Sequence, residues 1–342
     1  MAGLHLEKSN VGSCHPKRLH LDRYVPRCSF VLSILGWLLL CLWLFSPPCV
    51  YAGPQIESQG AIDHAEEVQG LRLIIVPEKN AFILREQYKT VVDFLSRKIG
   101  SNIYLEVAPD YKSAVSALVN KDVDAAFLGS YTYLLARQQA QVEPLVRPVW
   151  PESKNICRSY IIARKNSDIR ELSDMEDKRI AVVDANSFSG FIFASCLFVN
   201  NGIVAPGNFF DKIIWAGSHD TAIWAVVTAE ADVGVAQSRV YDALLQEYPE
   251  LVDKLFIVSR SAELPCICLV LREGFPAVDR ERWLFLLSQM DKTDEGRQAL
   301  MGLGATAFEP AYDADYNPMR QLLKGARCTG ESSATIPLHG NR

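Results

Sequence analysis

The stretch Arg179–Phe193, RIAVVDANSFSGFIF, decides how the rest of the chain is read. Ile180, Ala181, Val182 and Val183 run without polar interruption, the pattern of a parallel strand covered on both faces. Asp184–Ser187 breaks the run. From Ser189 to Asn201 the apolar residues Phe191, Ala194, Leu197 and Phe198 recur at helical spacing, and Gly202 stands where a helix-ending glycine belongs. Ser187 and Ser189 are therefore expected at a helix N-terminus. The first N–H groups there have no intrahelical partner and carry partial positive charge, so such a turn holds an anion without Lys or Arg. Serine is also the ordinary cap of a helix in any fold, and the turn alone does not separate the two roles.

Working outward, the same alternation continues. Leu71–Val76 reads as a strand ended by Pro77, and Ala81–Ile99 as a helix with Tyr88, Val91, Val92, Leu95 and Ile99 on one face, closed by Gly100. Ile103–Val107 is a second strand. Pro109-Asp110 opens a helix whose Ala114, Val115, Leu118 and Val119 face inward. Val123–Leu128 then runs into Gly129-Ser130-Tyr131-Thr132-Tyr133, a glycine and hydroxyls at the carboxyl end of a strand, where open α/β sheets bind ligands. Tyrosines there also serve as interface packing.

Val142–Val149 and Ser159–Arg164 are predicted strands before the central stretch. Phe210–Trp215, Asp232–Ala236, Lys254–Ser259 and Cys266–Leu271 follow it. Gly217-Ser218-His219-Asp220 opens another helix, with Ser218 as the expected N-cap and Asp220 complementing the dipole. His219 falls in the first turn, where the dipole favours a neutral ring that donates one hydrogen bond. Amphipathic segments near Val278–Met290, Thr293–Leu303 and Tyr312–Leu323 close the chain. Strand and helix alternate throughout, which predicts α/β architecture with mostly parallel sheets, two lobes and a cleft.

The first 52 residues differ in kind. Ser29–Phe45 is an apolar run after a basic segment with Lys17, Arg18, Arg23 and Arg27, the pattern of a signal peptide. Val50-Tyr51-Ala52 predicts cleavage after Ala52; an uncleaved anchor is the alternative. Both place the remainder outside the cytoplasmic membrane, in the periplasm. Hydrophobic (49 %) and charged (22 %) fractions are those of a globular protein. With 35 Lys and Arg against 40 Asp and Glu the chain is net −5, and removing the basic leader makes it more acidic, which argues against nucleic acid as a partner. Five of the nine cysteines follow the leader: Cys157, Cys196, Cys266, Cys268 and Cys328. Five is odd, and no spacing among them suits zinc.

Taken in order, Asp110-Tyr111, Asp124–Gly129 with Tyr133, Ser159-Tyr160, Ser187-x-Ser189-Gly190, Ala216–Asp220 with Ala222-Ile223, and Leu264-Pro265 resemble the phosphate/phosphite/phosphonate-binding family of periplasmic solute receptors. The resemblance implies a type II binding-protein fold, two α/β lobes joined by a two-strand hinge. The chain would divide into leader 1–52, tether 53–70, lobe one 71–158 and 266–326, lobe two 159–265, and tail 327–342. The ligand set it implies is Ser187, Phe188, Ser189, Gly190, His219 and Asp220 from lobe two, with Tyr111, Ser130 and Tyr133 from lobe one.

Two positions depart from the family pattern. Phe188 replaces the usual Thr of the serine turn, removing a hydroxyl donor worth roughly 1.5–3 kcal/mol to an anion. Cys266-Ile267-Cys268 follows Pro265, where relatives that bind aminoalkylphosphonates place an acid for the amine. By the same resemblance Cys157, Cys266 and Cys268 neighbour one another at the hinge, as buried hydrophobes, as a disulfide pairing Cys157 with one of the others, or as thiolates for a thiophilic oxyanion.

The resemblance implies a monomeric receptor that captures a small phosphonate-, phosphite- or phosphate-type oxyanion and delivers it to an ABC permease. The alternative is an oxyanion sensor, of arsenite type, reporting to a membrane histidine kinase. An enzyme is not expected, because no nucleophile with an adjacent base, no paired carboxylates and no metal cluster can be assembled from the sequence. No cofactor is expected either.

Overall fold

The computed structural model describes residues 70–325 apart from 152, 154 and 204; the leader, the tether before residue 70, and the tail with Cys328 lie outside the described residues. The chain opens with β1 (Leu71–Ile75), α1 (Ala81–Ile99), β2 (Ile103–Val107), α2 (Tyr111–Val119), β3 (Ala125–Leu128), α3 (Ser130–Gln139) and β4 (Glu143–Val149). β1 lies parallel between β2 and β3, as two β-α-β crossovers require. Local chemistry sets the helix ends. The Asn80 side chain accepts the Phe82 N–H at 3.0 Å to start α1, and Gly100 ends it at φ +73°. Tyr88, Val91, Val92 and Leu95 are buried on one face, as their spacing predicts.

A short strand, β5 (Ile156–Cys157), leads into a second sheet made from β6 (Ser159–Arg164), β7 (Arg179–Val182), α4 (Phe193–Asn200), β8 (Lys212–Trp215), α5 (His219–Val227), β9 (Val233–Gln237), α6 (Ser238–Glu247) and β10 (Leu255–Arg260). β11 (Leu264–Pro265) then pairs antiparallel with β5 as a two-stranded ribbon. The chain returns to the first sheet through β12 (Cys268–Leu271), α7 (Ala277–Ser288), α8 (Asp294–Leu303), β13 (Ala307–Pro310) and α9 (Asn317–Gly325). The sheet orders are β13-β4-β12-β3-β1-β2 and β10-β6-β9-β7-β8. Two α/β lobes thus meet at a ribbon that carries both chain crossings.

The sheets are mixed, which corrects the expectation of mostly parallel pairing. β1, β2 and β3 are parallel in the first sheet, and β7, β8 and β9 in the second. β12 runs against β3 and β4, β13 against β4, and β6 against β9 and β10. The cause is topological. A chain that enters the second lobe through β6 and leaves it through β10 toward the same ribbon must run once outward and once back.

Below β7 and β9 lies a shared ion pair. Asp232 accepts from Arg164 Nη2 at 3.0 Å, from Arg179 Nε and Nη2 at 2.9 Å each, and from the Arg179 backbone N–H at 3.1 Å. These bonds hold the Asp232 carboxyl well below the usual carboxylate range, the Arg179 side chain most strongly. Among the described residues no helix is long and apolar enough to cross a membrane, and no group of three potential metal ligands occurs.

Candidate functional site

The strand that carries Ile180–Val182 ends beside the serine turn, and a glycine makes that contact possible. A Cβ at Gly190 would lie 2.4 Å from the Val183 Cβ. Without one, the turn settles against the strand, and the Gly190 carbonyl accepts the Val183 N–H at 3.0 Å. Ser187 is the N-cap, its Oγ accepting the Gly190 N–H at 3.1 Å. The helix opens as a single π turn, Phe188–Ile192, before continuing as α4; such wide turns recur at functional sites. Ser159 Oγ donates to the Ser189 carbonyl at 2.7 Å and ties the turn to β6. Asn186, Ser187, Phe188 and Ser189 line a cleft, and the first N–H groups of the helix lie there with them.

His219 opens α5 at the same cleft and is buried. Its Nδ1 accepts the Gln237 backbone N–H at 3.1 Å. A backbone amide only donates, so Nδ1 is bare and the neutral ring carries its proton on Nε2. Nε2 lies 3.4 Å from the Tyr111 hydroxyl. Burial first, and then the charge of Arg239, lowers the imidazole pKa from 6.5 to about 3. The ring therefore offers one N–H and no charge through the physiological range. Burial, reinforced by the charge of Glu78, pushes the Tyr111 hydroxyl well above its ordinary value, so it also keeps its proton. Ser187 acts against that rise and lines the same cleft as Tyr111, which brings α2 of one lobe up to the serine turn of the other.

The first lobe contributes Glu78, Tyr111, Gly129, Ser130, Tyr131 and Thr132. Ser130 Oγ donates to the carbonyls of Pro265 and Cys266 at the ribbon. Glu78, in the loop after β1, reaches across to the second lobe. Its Oε2 pairs with Arg239 Nη2 at 3.0 Å, its Oε1 accepts from Gln237 Nε2 at 3.3 Å, and its carbonyl accepts the His219 N–H at 3.0 Å. The Asn80 N–H donates to Asp220 Oδ2 at 2.9 Å, and the Arg239 guanidinium stacks 4.2 Å from the Trp150 ring centroid. The lobes are closed on each other.

Arg158, also in the cleft wall, is committed to Glu263 at 2.6 Å and to the Ser261 carbonyl at 3.1 Å. Both guanidinium groups at the site are thus paired with carboxylates. The cavity measures about 40 Å³, against about 10–15 Å³ for a single water by the same measure, so it suits a ligand of few heavy atoms.

Of the residues named from sequence, Ser187, Phe188, Ser189, His219, Tyr111 and Ser130 come together in this wall. Three do not line it. Tyr133 is fully buried in the first lobe, donating to Asp313 Oδ1 at 2.5 Å and packing 4.5 Å from Tyr316; Tyr131, two residues earlier and on the other side of α3, lines the cleft instead. Asp220 turns to Asn80, Ser218 and Thr221. Gly190 backs the turn from beneath. Ser218 holds the cap position without a capping bond, its hydroxyl being taken by Asp220 and Thr221.

Cys157 and Cys266 form a disulfide with Cα atoms 5.2 Å apart, next to the ribbon and in the cleft wall. Cys268 is buried away from the cleft beside Tyr316, and burial pushes its thiol up to about 12. None of the three presents a thiolate to a ligand. Glu78, Gln237 and Arg158 were not singled out from sequence. Gln237 stands at the carboxyl end of β9 and Glu78 just beyond that of β1, the position that would have flagged them.

Residues 73–316 match the family described as "ABC transporter, phosphonate, periplasmic substrate-binding protein". The chain is 26 % identical over 265 residues, 76 % of this chain and 78 % of the other, to the phosphonates-binding periplasmic protein of Escherichia coli (strain K12). It is 28 % identical over 189 residues, 53 % of this chain and 59 % of the other, to the phosphate-import protein PhnD of Mycolicibacterium smegmatis. The structure of PhnD1 from Prochlorococcus marinus (MIT 9301) in complex with methylphosphonate shares the fold, with a TM-score of 0.66 at 18 % identity over 75 % of this chain and 97 % of that one.

Proposed function

Because the chain belongs to the family of phosphonate periplasmic substrate-binding proteins of ABC transporters, we propose that it captures a compact phosphorus oxyanion of phosphonate, phosphite or phosphate type in the periplasm and hands it to an ABC permease. One observation carries this reading. The serine turn, the Nε2–H of a neutral His219 and the Tyr111 hydroxyl converge on one small cavity, a set of donors without a net cation. A hydrogen bond to a charged group is worth roughly 1.5–3 kcal/mol. Two or three such bonds together supply roughly 3–9 kcal/mol, added to the contacts of Glu78 that already join the lobes.

The same geometry speaks against catalysis. The Nδ1 lone pair of His219 is occupied by the Gln237 N–H and its Nε2 carries the proton, so the ring has no site free to take a proton from Ser187. Phe188 adds an apolar wall where a hydroxyl would serve a fourth oxygen, which suits a ligand with an alkyl group or hydrogen on phosphorus.

Calorimetry of the purified protein with methylphosphonate, phosphite and phosphate tests this. Tyr111→Phe and Ser187→Ala are each expected to weaken the best ligand about ten- to a hundredfold, while Ser187→Ala lowers stability by about 1 kcal/mol through the lost cap. Affinities unchanged in both variants would remove this wall from the binding site.

A further inference from the structure

We infer that the cleft takes its oxyanion singly charged, with one oxygen still protonated, and that Oε1 of Gln237 accepts that hydrogen. The inference rests on the oxyanion reading above and adds the protonation state and the residue that selects it.

Gln237 is held at its backbone and at the nitrogen of its side chain. Its backbone N–H goes to His219 Nδ1, and its Nε2 donates to Glu78 Oε1 at 3.3 Å. The Glu78 carboxylate, paired with Arg239, only accepts. Turning the amide over would set two acceptors against each other, so the NH₂ faces Glu78. That leaves Oε1 buried and without a partner, in a residue 5 % exposed that lines the cavity. A buried acceptor calls for a donor.

The His219 Nε2–H, the Tyr111 hydroxyl and the hydroxyls of Ser187 and Ser189, which line the same space, can all donate. The complement is a molecule with several acceptor oxygens and a single O–H, which is the monoanion of a phosphonate, phosphite or phosphate. An ammonium group would also donate, but the nearest carboxylate, Glu78, is already neutralised by Arg239, whose charge repels a second cation. A dianion would bring a bare oxygen against Oε1. A site built to bond a ligand hydroxyl rejects an analogue that lacks it, because the buried partner is then left unpaired.

The charged and titratable groups around Gln237 and the ligand space are Glu78 with Arg239, Arg158 with Glu263, His219, Tyr111, and Asp184 and Asp220 behind Tyr111. Lys79, set among Glu78, Arg239, Asp220 and Glu247, is lowered to about 8, burial being the larger cause. Its loss of charge is the background that an experiment across neutral pH must subtract.

Methylphosphonate and methanesulfonate supply the comparison. They share shape, and at pH 6 both are monoanions, but only the phosphonate has an O–H. With the full chain in a calorimeter from pH 5.5 to 9, methylphosphonate should bind at least ten- to a hundredfold more tightly than methanesulfonate at pH 6. Its affinity should then fall about tenfold per pH unit above its second proton loss, while the sulfonate profile shows only the shallower contribution of Lys79. At pH 8.5, titrations in two buffers of different ionisation heat should register about one proton taken up per ligand. Gln237→Leu should bring the two ligands toward equal affinity; the wild-type comparison stands by itself if that variant does not fold. Equal binding of the two ligands by the wild type, or a pH-independent affinity without proton uptake, overturns the protonated-oxygen inference and leaves oxyanion capture standing. Binding of neither ligand, nor of phosphite or phosphate, at any pH overturns both.

Discussion

A histidine whose Nδ1 is taken by a backbone amide in a buried site loses the freedom to charge, and that loss has a thermodynamic cost on the acid side. The folded value for His219 is about 3, whereas the unfolded side chain titrates near 6.5. Between these limits the unfolded chain binds a proton that the folded one does not, so stability falls as pH is lowered from about 7 toward 3, by at most about 1.4 kcal/mol per pH unit. His219→Gln should flatten the melting temperature against pH over this window; an unchanged slope would mean the burial effect is absent. Asp232 follows the depressed-carboxylate rule. Its stabilisation is complete above about pH 4 and is lost as pH falls further, through the folded value. Asp232→Asn, which leaves Arg164 and Arg179 without their shared partner, should cost about 2–3 kcal/mol at pH 7 and progressively less below pH 4.

At the scale of single elements, the approach of the serine turn to its strand is the tightest dependence in the site. Gly190→Ala forces a methyl group into Val183, and should cost about 1–3 kcal/mol of stability while displacing Ser187 and Ser189 enough to weaken ligand binding. Calorimetry and thermal melts together would detect a variant that loses neither. The strand, the turn and the glycine were legible in sequence because one short segment contains them all, an apolar run, a polar break and a helical period. Tyr131 and Tyr133 were not separable in the same way. Two positions on a helix lie about 200° apart, so one faces the cleft and the other the core, and only the neighbours Tyr316 and Asp313, about 180 residues away, decide which. Tyr133→Phe is accordingly expected to lower stability by about 1 kcal/mol and leave ligand affinity alone, the opposite of Tyr111→Phe. Gln237 and Glu78 escaped notice for a related reason. Gln237 ends β9 and Glu78 lies in the loop after β1, and each acquires its role only when the other lobe's residue arrives, a juxtaposition of positions separated by 159 in the chain that no local pattern contains.

For the molecule as a whole, the contact of Glu78 with Arg239 and Gln237, beside that of Asn80 with Asp220, fastens the loop after β1 onto α5, β9 and α6. Glu78→Gln leaves the largely buried Arg239 guanidinium without its carboxylate and should shift the ligand-free protein toward an open form, by roughly 3 kcal/mol. Solution scattering should report a larger radius of gyration that methylphosphonate restores; a variant with the wild-type profile would show that the pair does not hold the lobes together. The disulfide between Cys157 and Cys266 has an effect of another kind. It spans a sequence separation of 109 and brackets every strand of the second sheet, from β6 to β10. Tension applied along the chain from both sides of that bracket passes through the sulfur atoms and bypasses the second lobe, which is shunted like a closed loop in a rope. At about 3.3–3.6 Å per extended residue, a single-molecule pulling trace of the oxidised chain should therefore end roughly 360–390 Å shorter than that of the reduced one, with the lobe that holds the serine turn and His219 never bearing load.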